Sequence, residues 1–175
     1  MKLLAITLIA AALATSASAE PRPVPNYGAV APLPDAKERP ERSRTYKVVF
    51  DISKGELGST KPSQGLDRVA RYVNMLAEGG VSQQRRQILA VLHGPATEAV
   101  MTDEAFARRH AGAKNPNAPL IAELEAAGVE VRVCGQAMAA MKIATGEVLP
   151  GVQIDLAALM TVTHKQLDGY ALVVN

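Results

Sequence analysis

Two periodicities of apolar residues alternate along most of this chain. Tyr46-Lys-Val-Val-Phe-Asp-Ile52 is rich in β-branched and aromatic residues and reads as a strand. A polar, glycine-bearing segment follows, Ser53 to Gln64. Leu66, Val69, Ala70, Val73, Leu76 and Ala77 then recur at helical spacing, with Gly79-Gly80 as the stop. Arg86-Gln-Ile-Leu-Ala-Val-Leu92 is almost entirely apolar, as expected of a strand covered on both faces, and it ends on His93-Gly94. The long connection from Pro95 to Asn117 carries a short helix starting at Thr102, with Asp103 and Glu104 suited to its first turn. The next helix is capped by Asn117, has Pro119 in its first turn, places Leu120, Ile121 and Leu124 on one face, and ends at Gly128.

Val129, Val131 and Val133 alternate with polar residues up to Cys134. Gly135 turns the chain into the helix-forming run Gln136-Ala-Met-Ala-Ala-Met141. Leu149-Pro-Gly-Val-Gln-Ile154 supplies a short fourth strand. Asp155 is placed to cap a last helix with Leu156, Leu159, Met160, Thr163 and Leu167 facing inward, and Tyr170-Ala-Leu-Val-Val174 is a fifth strand. Strands alternating with helices imply a parallel sheet with right-handed crossovers and helices on both faces. The expected class is therefore α/β: a three-layer α/β/α sandwich on a five-stranded, mainly parallel sheet, flavodoxin-like in layout. In such a sheet all strands end on one edge, so Asp51, His93 and Cys134 share it, under the loops 53–64 and 95–117. That edge is where open α/β sheets bind ligands.

Outside the periodic region the chain changes character. Lys2 followed by the apolar run Leu3 to Leu13 and by Ala17-Ser-Ala19 has the form of a secretory signal over residues 1–19, cut before Glu20. No cysteine follows directly on the cut, so no lipid anchor is expected. Nothing downstream is apolar for long enough to be a second span, so no membrane anchor is expected after cleavage and the periplasm is the expected location. Residues 20–44 hold six of the eleven prolines (Pro21, Pro23, Pro25, Pro32, Pro34 and Pro40) and read as an extended, mostly disordered leader. The folded domain is expected over residues 45–175.

Composition narrows the chemistry. A formal net charge of +2, no Trp and only two Phe leave neither a cationic field nor a stacking platform for nucleic acid. The single cysteine rules out an internal disulfide and a Cys-x-x-Cys exchange pair, although the exported setting permits disulfides. Cys134 is then either a buried structural thiol or a reactive one, because the helix amino end beyond it favours a thiolate. His93 can face the same cleft and hold that thiolate, or close its strand through the backbone. Arg108, Arg109, His110 and Lys114 form either a cationic rim for an anionic sulfur compound or a solvated loop. Asn115 and Asn117 suit turn and cap positions, with Asn115 also a candidate for substrate contact alongside Lys114, Gly135, Gln136 and Asp51. Met138 and Met141 fit core filling better than a soft-metal site. Gly55-Glu-Leu-Gly58-Ser-Thr-Lys61 looks like a phosphate loop with the wrong spacing and the wrong Lys-Ser order. No cofactor is expected.

Four segments together resemble the DsrE/DsrF-like proteins: Val91-Leu-His-Gly94, Asn115-Pro-Asn117 leading into Leu120-Ile121, Gly128-Val-Glu-Val-Arg-Val-Cys-Gly-Gln136, and Leu149-Pro-Gly-Val152. The resemblance spans about Tyr46 to Asn175. It implies a parallel-sheet α/β domain assembling as a homotrimer or hexamer. In the sulfur-relay members a cysteine ending the third strand carries sulfur as a persulfide, and Cys134 matches it. Those relays work in the cytoplasm with dedicated partners, whereas this chain begins with an export signal. The leading expectation is thus a periplasmic sulfur carrier, or sulfurtransferase-like protein, that takes sulfane sulfur onto Cys134 and passes it on, with a sulfur donor or acceptor protein as its partner. The alternative is a non-catalytic oligomeric module for a small anion or a protein. A weaker third reading is Cu(I) held by Cys134 and His93.

Overall fold

The computed structural model describes residues 22–175. The expected signal segment, 1–19, lies outside the described residues. Five strands, β1 (Tyr46–Ile52), β2 (Arg86–Leu92), β3 (Glu130–Cys134), β4 (Gln153–Asp155) and β5 (Ala171–Val174), form one sheet in the order β4-β3-β2-β1-β5, and all four pairings are parallel. Five helices connect them: α1 (Gln64–Glu78), α2 (Asp103–Arg109), α3 (Ala118–Ala126), α4 (Gly135–Ala140) and α5 (Ala158–Leu167). A 3₁₀ segment, Gly94–Val100, leaves the end of β2. No helix among the described residues is long and apolar enough to cross a membrane.

The alternation within β1, β2 and β3 sorts side chains into two cores of unequal size. Val48, Phe50 and Ile52, with Ile88, Ala90 and Leu92, face a large cluster completed by α1, α2, α3 and Met138 of α4. Val49, Leu89, Val91 and Cys134 face a small cluster closed by Ala158 of α5. The three layers are present, but the smaller core is closed mainly by α5, with Ala137 of α4 at its edge.

That asymmetry overturns the expected orientation of α5. Ala158 and Thr161 are its buried residues, whereas Leu156, Leu159 and Leu167 are 73%, 73% and 80% exposed and Met160 is exposed as well. Small residues let the helix sit close to the sheet, and the leucine stripe is turned outward. Asp155 does not cap α5 either. The cap position is Ala157, and Asp155 belongs to β4, where it accepts a hydrogen bond from Thr161 Oγ1 at 2.6 Å. The fourth strand starts four residues later than its apolar run, because Leu149 to Val152 turn through Pro150 and Gly151 (φ +93°). Leu149 N–H there donates to the Val100 carbonyl at 2.8 Å.

The proline-rich segment is without helix or strand over residues 22–44, but its first part is docked, not loose. Val24 is fully buried in the main core. The fully buried Asn74 of α1 accepts from Val24 N–H at 3.1 Å and donates to the carbonyls of Val24, Tyr27 and Gly28 at 2.9–3.1 Å. Gly28 sits at φ +63° so close to α1 that a Cβ would lie 2.2 Å from the Arg71 nitrogen. Proline explains the lack of regular structure. Disorder did not follow from it, because one valine and one asparagine tie the segment down.

Candidate functional site

The carboxyl edge carries a row of polar strand ends on the α5 face. Asp51 lies two residues after Val49, and His93 two residues after Val91, so strand alternation turns both toward the face that holds Cys134. Asp51 Oδ1 and His93 Nε2 are 2.7 Å apart, with both side chains more than two-thirds buried. An ionised carboxylate can only accept, which puts the proton on Nε2 and leaves Nδ1 of the neutral ring as an acceptor. Leu92 pairs with Val133, so one further step of register brings His93 alongside Cys134. No hydrogen bond joins the two side chains. His93 is therefore held by Asp51, neither by the thiol nor by its own backbone contact alone.

Cys134 is 7% exposed and lies among Val49, Leu89, Val91 and Ala158. It occupies the cap position of α4, but α4 has six residues, under two turns, so its dipole is small. On its other side Cys134 pairs with Asp155. Burial pushes the Asp155 carboxyl up, but hydrogen bonds from Thr161, Arg132 and Gln153, with the charge of Arg132, outweigh it and hold the group below its ordinary range. Gly135 permits this arrangement: a Cβ there would meet the Asp155 carbonyl at 2.9 Å.

The remaining candidates are distributed differently from the sequence reading. Gln136 and Lys114 are exposed, and no contact of either side chain is seen. Asn115 is 2% exposed and fully engaged: Nδ2 donates to the Ala99 carbonyl at 2.9 Å and to that of Met101, while Oδ1 accepts from Asn117 N–H at 2.9 Å. It pins the long connection and has nothing left for a substrate. Asn117 occupies the α3 cap position, but its Oδ1 accepts from Ser63 N–H at 2.6 Å, not from α3. Of the expected cationic rim, all but Lys114 is spent internally. Arg108 pairs with Glu147 at 2.6 Å, Arg109 donates to the Met141 and Lys142 carbonyls, and His110 Nε2 lies 3.0 Å from Glu98. Met138 and Met141 pack in the main core. Among the described residues, no three His, Cys, Asp or Glu side chains cluster as metal ligands.

A cavity of about 520 Å³ opens at the same edge on the opposite face of the sheet. Its walls are the loop after β1, the first turn of α1 and the 3₁₀ segment after β2. Neither Cys134 nor His93 lines it. Its buried acid, Glu98, was missed in the sequence because an isolated glutamate in a long connection carries no pattern.

The family model described as DsrE/DsrF-like family matches residues 47–174, and the chain belongs to that family. Two solved structures share the fold. One is a protein of unknown function, MTH1491, from Methanobacterium thermoautotrophicum, with 19% identity over 74% of this chain and 99% of that one at a TM-score of 0.55. The other is the ychN protein from E. coli, with 18% identity, the same coverage and the same TM-score. A comparison with curated proteins gives no match.

Proposed function

We propose that this member of the DsrE/DsrF-like family is an exported sulfur-handling protein that accepts sulfane sulfur on Cys134 and passes it on. The family points to a sulfur-relay type of role. The observation that carries the finer reading is the row Asp51–His93–Cys134 on three neighbouring strand ends, with the first two hydrogen-bonded and the third the only thiol in the chain. In the step envisaged, His93 Nδ1 takes the thiol proton as the ring swings the short way to its neighbour. The Cys134 thiolate then attacks the outer sulfur of a donor persulfide, R–S–SH. The donor S–S bond breaks, a new one forms as Cys134–S–SH, and the departing R–S⁻ takes the proton from His93. No external oxidant is needed. Reversal onto an acceptor thiol unloads the carrier.

The intact mass of the purified protein, before and after a reductant, tests this. A reductant-sensitive gain of one or more sulfur atoms, absent from Cys134→Ser, supports the carrier. Equal sulfur uptake by Cys134→Ser would end it. A second reading, a non-catalytic assembly module, is favoured by the 7% exposure of Cys134 and by the outward leucines of α5. It predicts an unmodified mass and slow alkylation of the thiol. Both readings take the α5 stripe, with Ile154 and Val174 also exposed, as the face through which copies associate into a trimer or hexamer. Export rests on residues 1–19, and an amino terminus at Glu20 in protein recovered from cells would support it.

A further inference from the structure

The loop that mimics a phosphate motif, Gly55 to Lys61, lines the cavity on the α1 face, and the groups gathered there carry both signs of charge. Glu98 is on its wall with a side chain only 10% exposed. Its two contacts, from Gly58 N–H at 3.1 Å and His110 Nε2 at 3.0 Å, both fall on Oε2. Oε1 has no protein donor and keeps contact with solvent, although the side chain as a whole is largely buried. That oxygen is free to accept a hydrogen bond from a molecule in the cavity.

Other walls of the cavity present donors. Lys54 and Lys61 have no ion partner among the described residues. At the first turn of α1, Leu66 N–H and Asp67 N–H bond back to Ser63, while those of Gln64 and Gly65 find no acceptor. The 15-residue α1 adds the positive end of a full-length dipole. Pro95, Ala96 and Phe106 provide apolar wall between them. An inorganic anion would suit the α1 end but would meet the Glu98 carboxylate. A plain amine would suit Glu98 but meet the lysines. A molecule carrying both groups satisfies both.

We infer that this cavity is a binding site for a small zwitterion of the α-amino-acid type, with its ammonium on Glu98 and its carboxylate on the α1 amino end and Lys61. Position supports it as well: the strand order reverses direction between β1 and β5, and crevices outside the carboxyl ends at such a point are the usual ligand sites of open sheets. The site is independent of sulfur loading, because Cys134 lies on the other face.

The test is ligand-observed saturation-transfer NMR on the purified protein with the twenty common L-amino acids, followed by calorimetry on the strongest binder. Saturable binding is expected, with the N-acetyl and the C-amide derivatives each at least tenfold weaker, that is, about 1.4 kcal/mol. Glu98→Gln should weaken the free amino acid but not its N-acetyl form. Lys61→Ala, at an exposed position that leaves the fold intact, should weaken the free acid but not the amide. The inference is overturned if no amino acid saturates below about 10 mM, roughly −2.7 kcal/mol. It is also overturned if the blocked derivatives bind equally, or if inorganic phosphate binds and Glu98→Gln strengthens it, the signature of a simple anion pocket.

Discussion

Asn74→Ala should release the amino-terminal strap, and its cost can be worked from the contacts. The side chain accepts one hydrogen bond and donates to three carbonyls from two N–H groups, one of them shared. With both partners fully buried, a net contribution of roughly 1 kcal/mol per bond gives about 3 kcal/mol, rising if the strap stays docked over dry, unpaired groups. It does not have to stay. Residues 22–30 can lift away and return their N–H and C=O groups to water. The loss is then limited to the strap's own docking, which is the burial of Val24, roughly 1.5–3 kcal/mol, plus the same bonds, less the cost of ordering the segment. We expect a loss of about 2–4 kcal/mol, a large share of the stability of an ordinary domain.

Urea unfolding of four proteins checks this: the parent and Asn74→Ala, each with and without residues 20–30. In the shortened chain Asn74 is solvated and has nothing to hold, and alanine is the better helix former. The substitution should there cost under about 0.5 kcal/mol or stabilise slightly. Equal costs in the two backgrounds, and so no coupling, would refute the account of Asn74 as the strap's anchor.

Three further outcomes follow from other parts of the fold. Gly135→Ala pushes a Cβ to 2.9 Å from the Asp155 carbonyl, a backbone atom that cannot swing away, and should lower stability by about 1–3 kcal/mol in thermal or urea melts. Asp155 has its pKa held below the ordinary value, so its contribution is complete above the unfolded carboxyl pKa of about 3.9 and is lost as pH falls through the folded value. Stability measured from pH 6 downward should therefore fall less steeply below about pH 4 in Asp155→Asn. Leu159→Lys, at a 73% exposed position, should change the stability of the single chain by under about 0.5 kcal/mol, yet reduce the molecular mass seen by light scattering. An unchanged mass would remove the α5 stripe from any assembly.

Much of this fold is legible in the sequence where burial acts on whole segments. The bounds of β1 and β2 coincide with their apolar runs because both strands are covered on both faces and flanked by polar turns. The short helix expected from Thr102 begins at Asp103, with Thr102 as its cap and Oγ1 accepting from Ala105 N–H at 3.2 Å. α5 was misread for a physical reason. The spacing of Leu156, Leu159, Met160, Thr163 and Leu167 shows that they share one side of a helix, but it cannot say which side meets the protein. A second stripe, Ala158, Thr161 and Val162, makes the contact. The Asp51–His93 pair was hidden for another reason: hydrogen bonding between strand ends depends on strand order, and a single sequence does not display it. Asn115 and Asn117 were assigned by the habits of their residue type, whereas their actual partners, Ala99, Met101 and Ser63, are set by the path of the long loop.

The strand order also separates the two candidate sites. β1 to β4 lie side by side in chain order, so Asp51, His93, Cys134 and Asp155 form a continuous row at the carboxyl edge. The row faces α5, while the cavity with Glu98 and Lys61 faces α1, and the strand ends stand between them. A molecule in the cavity reaches the thiol only by passing over that edge. Sulfur loading of Cys134, read by intact mass, should then be unchanged in Lys61→Ala, and amino-acid binding unchanged in Cys134→Ser. Asp51→Asn should behave differently. It keeps the shape but replaces the carboxylate that orients His93 with an amide, so loading should slow by at least about tenfold while cavity binding persists. If Asp51→Asn loads sulfur at the parent rate, the Asp51–His93 pair is a structural closure of two strands, and Cys134 works without it.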